Sequence, residues 1–146
     1  MNDSFWLFGS HHYIIAAADK TEMHYDLIEK RSKPGVETPL HVHNGYTELV
    51  YVLDGQLTVF TELQTVILNP GDCFFIPRGA VHTLAATGLT GTTRTLQCFA
   101  PGGFSKLLRA VGTAGTEYEM PAMKPLDMDL LNQLCDELGD VNLSQH

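Results

Sequence analysis

Apolar residues in the first hundred positions fall in short runs: Tyr13–Ala17, Tyr25–Glu29, Leu40–His43, Leu49–Leu53, Gln56–Phe60, Thr65–Leu68, Cys73–Ile76, Val81–Ala85 and Thr93–Phe99. They recur every ~8–12 residues between Gly, Pro, Asn and Asp, the spacing of strands in a sandwich or barrel. Asp54-Gly55 separates two of the runs and reads as a hairpin turn, because both residue types tolerate positive φ. Asn69-Pro70-Gly71-Asp72 and Pro77-Arg78-Gly79 are further turn clusters. No helical period of useful length interrupts this stretch, so parallel βαβ architectures are excluded.

The last third changes period. Phe104–Val111 fits two helical turns with Leu107, Leu108 and Val111 on one side. Residues 112–125 read as a connecting segment, and Leu126, Leu130, Leu134 and Leu138 then repeat every fourth position up to a terminating Gly139. This predicts a C-terminal amphipathic helix packed on the outside of the barrel. A lid over the barrel mouth or a dimer contact is the alternative. With no internal repeat or low-complexity tract, residues 1–146 read as one domain: a barrel over about 5–103 and a helical extension over 104–146.

Composition narrows the function classes. The 146 residues carry 9 Lys+Arg against 17 Asp+Glu, a net charge of −8, which disfavours nucleic acid and anionic membrane surfaces. No apolar run approaches the ~18 residues of a membrane span. Three widely spaced cysteines make no disulfide framework, so Cys73 and Cys98 read as small core residues and Cys135 as part of a helix flank. The N-terminus shows no basic and apolar signal pattern, and a cytoplasmic protein is expected.

Three histidines and a glutamate carry the candidate chemistry. His41 and His43 are two apart, which on a strand puts both side chains on one face. Glu48 opens the next apolar strand on the face of Val50 and Val52, where burying a lone carboxylate costs several kcal/mol unless a cation offsets it. His82 begins a strand after the Pro77-Arg78-Gly79 turn. Three imidazoles and one carboxylate form a nitrogen/oxygen donor set suited to Fe, Mn, Co, Ni, Cu or Zn. Imidazole must be neutral to ligate, so affinity is expected to fall below about pH 6.5. Outside this set, His11, His12, His24 and His146 read as solvated surface residues.

The punctuation around these residues resembles the cupin superfamily. Gly35, His41, His43, Glu48 and Gly55 match its first motif at every defined position, and Gly71, Pro77, Gly79 and His82 match the second. The usual asparagine four residues beyond the last histidine is Ala86, a change in the pocket wall rather than in the ligands. Phe5-Trp6 with Gly9, the Tyr13–Ala17 strand and the Pro101-Gly102-Gly103-Phe104 turn are similar to bacterial quercetin 2,3-dioxygenase-like cupins, although Ser105 replaces an acidic residue common there.

The resemblance implies an all-β double-stranded β-helix, a jelly-roll barrel with the metal inside, assembled as a homodimer. It implies a divalent transition metal on His41, His43, Glu48 and His82. It also implies a dioxygenase acting with O₂ on a small enolic or phenolic substrate, with Glu48 as the catalytic residue that deprotonates or orients the substrate hydroxyl. Tyr51, Phe60, Phe75 and Phe99 are candidate pocket aromatics. A non-catalytic metal or small-molecule binding cupin, or a sugar isomerase or epimerase, are the alternatives. The latter needs cations for phosphate, and only Arg78 and Arg94 offer them among strand and turn residues.

Overall fold

The computed structural model describes residues 3–143. The chain runs β1 (Ser4–Leu7), β2 (Ser10–Ala16), β3 (Asp26–Ser32), β4 (His41–His43), β5 (Thr47–Asp54), β6 (Leu57–Thr61), β7 (Thr65–Leu68), β8 (Cys73–Ile76), β9 (His82–Ala86) and β10 (Thr93–Ala100). Then come α1 (Phe104–Val111), β11 (Thr113–Ala114), α2 (Met128–Leu138) and β12 (Asp140–Asn142). The nine apolar runs coincide with β2 to β10. Two antiparallel sheets form, one ordered β11-β1-β2-β3-β10-β5-β8 and the other β12-β4-β9-β6-β7. Among the described residues, no helix is long and apolar enough to cross a membrane.

Strand alternation builds the core. On β5 every second side chain from Glu48 is buried, and Val50 and Val52 are fully covered. They meet Leu57, Val59 and Leu84 of the opposite sheet, which joins the two layers. A second cluster at the other end packs Leu7, Ile14, Ile28 and Phe99 against Leu107, Leu108, Leu131 and Leu134 of the helices.

Asp54-Gly55 does not close a hairpin between paired strands. β5 is already flanked by β10 and β8, so the chain crosses to the other sheet to start β6. Gly55 has φ +82°, and a Cβ there would lie 2.7 Å from Thr93 Cα. Glycine is required at this crossing on both counts.

The C-terminal segment departs furthest from expectation. α2 is capped by Asp127, whose carboxylate accepts from Leu130 N at 3.0 Å, and ends at Gly139 with φ +80°. Its buried side chains are Leu131 and Leu134, while Leu126 lies before the cap and is exposed. Far from packing on the outer barrel wall, the helix presents Met128, Leu131, Asn132 and Cys135 to the cavity holding the histidine cluster. The two short strands of this segment join opposite sheets: β11 pairs with β1, and β12 pairs with β4. α1 is tied to the barrel by Asp26, which is fully buried and accepts from Ala18 N, Gly103 N, Ser105 N and Ser105 Oγ.

Candidate metal centre

His41 and His43 leave the same face of β4, His82 lies opposite His41 on β9, and Glu48 reaches in from β5 of the facing sheet. One donor atom from each of the four lies within 4.8 Å of all the others. His41 Nε2 is 3.2 Å from His43 Nε2, and Glu48 Oε1 is 3.3 Å from His43 Nε2 and 3.6 Å from His82 Nε2.

The other ring nitrogens explain why the Nε2 atoms converge. Nδ1 of His41 donates to Pro39 O at 2.7 Å, and Nδ1 of His82 to Ala80 O at 2.8 Å. A carbonyl can only accept, so in each neutral ring the proton sits on Nδ1 and Nε2 keeps its lone pair. His43 Nδ1 faces Asp140 Oδ1 at 2.7 Å, and Tyr46 OH donates to the second oxygen of that carboxylate at 2.8 Å. His82 Nε2 is buried with no hydrogen-bond partner among the described residues. Lone pairs facing one another at this range repel unless a cation lies among them, so the donor set fits a divalent transition metal.

Electrostatics separates the three rings. Burial, helped by the other two imidazoles, lowers His41 to about 4. Burial acts the same way on His43, but Asp140 and Glu48 outweigh it and raise that ring to about 9. Burial likewise pushes Glu48 up, and its contacts with His43 and His82 overcome this and hold the carboxyl well below the usual range. Gln97 Nε2 donates to Glu48 Oε2 at 2.7 Å, so only Oε1 faces the imidazoles. Tyr46, pushed far above its ordinary value by burial and by Asp140, stays a donor.

Residues 30–97, which include all four side chains, match the family described as Cupin domain. The chain carries a cupin domain. Quercetin 2,3-dioxygenase of Bacillus subtilis is 31% identical over 101 residues, 69% of this chain and 29% of that protein. The germin-like protein subfamily 2 member 2 of Arabidopsis thaliana is 43% identical over 54 residues, 34% of this chain and 25% of its own. The chain thus spans less than a third of the length of these curated relatives. An RmlC-like cupin from Shewanella frigidimarina superposes with a TM-score of 0.60 at 17% identity, over 70% of this chain and 86% of that one. That likeness is one of fold.

In this cupin His41, His43 and Glu48 open onto a cavity of about 540 Å³, while His82 is fully buried beside them. Its walls are largely apolar, from Leu7, Leu84, Phe99, Phe104, Leu107 and Leu131. Of the four aromatics expected there, only Phe99 lines it; Tyr51, Phe60 and Phe75 occupy outward positions of their strands and are exposed.

Other expectations are corrected. His11 and His12 are buried, at 1% and 6% exposure: the segment after α1 folds over the outer face of β1 and β2, where His11 packs against Trp6 and Gly115 O. His12 points inward to the cavity, and burial, reinforced by Lys30, pulls it down to about 3. His24 is exposed as expected, and His146 lies outside the described residues. Cys73 is exposed, not a core residue, since it takes an outward position on β8. Arg78 is exposed at its turn, and Arg94 pairs with Glu29 at 2.7 Å, away from the cavity.

Asp140, Gln97 and Lys30 escaped the sequence reading. Asp140 lies 97 residues from the ring it contacts. Lys30 and Gln97 could have been placed by extending the alternation of Asp26–Ile28 and of Phe99 along their strands.

Proposed function

We propose that this cupin is a cytoplasmic, metal-dependent dioxygenase acting on a small enolic or phenolic substrate. The observation that carries the reading is the convergence of the Nε2 atoms of three histidines and one carboxylate oxygen at the end of an apolar cavity. His41, His43, His82 and Glu48 would hold the ion. When bound, the metal supplies Lewis acidity for a substrate oxyanion and redox access to O₂.

The chain's own groups do the rest. Glu48 remains a carboxylate at neutral pH, because its imidazole contacts favour the charged form. Gln97 anchors one of its oxygens and so fixes the carboxylate beside the ion, where it would orient a substrate hydroxyl or take its proton. Asp140 sets the ring plane and tautomer of His43, while Phe99, Phe104 and Leu131 exclude water and favour a flat organic body. The similarity to quercetin 2,3-dioxygenase of Bacillus subtilis supports this choice of chemistry.

The isomerase alternative is disfavoured. Phosphate binding draws on several cations, and no arginine lines the cavity among the described residues. The homodimer belongs to the proposed reading, and exposed Leu49, Tyr51 and Phe75, neighbours across β5 and β8, support a second copy as the cover for that sheet face.

The test is metal content by mass spectrometry, then oxygen uptake with quercetin and simpler enols. Near-stoichiometric metal and uptake that falls at least about a hundredfold in Glu48→Gln are expected. No metal after reconstitution with Fe, Mn, Co, Ni or Cu overturns the reading. Metal without uptake leaves a binding cupin.

A further inference from the structure

We infer that the cavity takes a planar organic monoanion, a carboxylate, whose charge is met by Lys30. This deepens the dioxygenase reading and rests on it only for the metal sharing the cavity.

Lys30 lies on β3, where alternation sends Asp26, Ile28, Lys30 and Ser32 into the barrel. Its cross-strand neighbours are His12 on β2 and Thr95 on β10, neither of which carries a negative charge. The side chain lines the same cavity as His41, His43 and Glu48. Among the described residues, no carboxylate lies within ion-pair distance of its ammonium and no hydrogen bond engages it.

Four other basic side chains behave differently. Arg31 and Arg94, half-buried like Lys30, both pair with Glu29, while Arg109 pairs with Asp3 and Lys106 with Glu137 at the surface. Lys30 is half-buried, and withdrawing an amine from water without a partner is unfavourable, so an apolar residue would suit this wall better if the barrel had only to fold. Burial lowers the lysine's pKa and Glu48 opposes that. Yet Glu48 is committed to His43, His82 and Gln97, and cannot serve as a dedicated counter-ion.

Charge and shape then define the ligand. A divalent cation on three neutral imidazoles is matched by Glu48 and Asp140, so Lys30 leaves one positive charge over. One carboxylate neutralises it, whereas a phosphate dianion would overshoot. Glu37 and Asp136 also line the opening, but both are exposed and screened by solvent. The walls of Phe99, Phe104 and Leu131 suit a flat apolar body, and about 540 Å³ accommodates a bicyclic one.

The experiment is calorimetric titration with 2-naphthoate and its neutral counterpart 2-naphthamide, on zinc-loaded and metal-free protein. Wild-type zinc protein is expected to bind the acid at least about tenfold more tightly than the amide. In Lys30→Met, with zinc stoichiometry unchanged, the two affinities should converge; Lys30→Gln serves if the methionine variant misfolds. Equal affinities in wild type, no detectable naphthoate binding, or a preference that survives in Lys30→Met overturns the inference. The last outcome would assign the carboxylate to the metal. Absence of oxygen uptake alongside a Lys30-dependent preference defeats only the dioxygenase reading, and the metal-free arm reads the lysine without the ion.

Discussion

Replacing Asp140 by Asn tests how the C-terminal strand reaches the candidate metal centre. The carboxylate accepts from His43 Nδ1 at 2.7 Å and from Tyr46 OH at 2.8 Å. An amide can keep its oxygen on His43 while Tyr46 turns its hydroxyl to accept from the NH₂ group, so the shape survives and the charge is lost. Loss of such an outer carboxylate weakens metal binding by about 10–100-fold.

A second effect opposes the first. At pH 7 the wild-type ring, with a pKa of about 9, must shed a proton before it ligates, a handicap of about 100-fold. Without Asp140 the ring is easier to deprotonate, so the handicap shrinks and offsets part of the loss. The defect of Asp140→Asn should therefore be small at pH 7 and approach its full size at pH 9.5. Competition with a chelator for Co²⁺ across that range, with the cobalt absorption bands reporting ligand geometry, measures both. An affinity ratio to wild type that stays flat with pH, or equal affinities throughout, refutes the role assigned to Asp140.

Two further predictions concern the same strand and ring. Gly139→Ala forces a side chain into φ +80° with its Cβ 2.9 Å from Gly45 N, so a loss of about 1–3 kcal/mol in urea unfolding is expected, with weaker metal binding because Asp140 is the next residue; unchanged values would contradict this. Metal-free protein should lose stability between pH 6.5 and 9. His43 binds its proton more tightly folded than unfolded, so its contribution, about 3 kcal/mol at most, is complete below the unfolded pKa of 6.5 and gone above the folded value of about 9. Urea midpoints that are level over that window, or that rise, would show that Asp140 and Glu48 do not hold the proton. Calorimetry at pH 7 in buffers of differing ionisation enthalpy should register about one proton released per metal bound.

The structure moves the pH dependence of the site away from the sequence expectation of about 6.5, and the reason is tertiary. Residue type alone assigns three ordinary imidazoles. Enclosure drives His41 down, while the carboxylates of Asp140 and Glu48 drive His43 up. Neither shift is encoded within the HxH segment.

What the sequence determines by itself is local and periodic. Alternation along a strand puts His41 and His43 on one side and Glu48 with Val50 and Val52, whatever surrounds them. Turn residues such as Gly55 mark where the strands must end, because a positive φ is a property of the residue and its neighbours. The apolar period located α2 and its Gly139 stop within a few residues.

What covers each face was decided only by the assembled barrel. His11 and His12 look like surface residues until the segment after α1 folds over the first and the barrel encloses the second. Asp54-Gly55 looks like a hairpin until β10 and β8 occupy both edges of β5. α2 reads as an outer helix, yet its cap turns the chain so that Asp140 pairs opposite His43 and Leu131 walls the cavity. Burial and partnership depend on contacts between segments distant along the chain, and hydrophobic period carries no record of which segment will arrive.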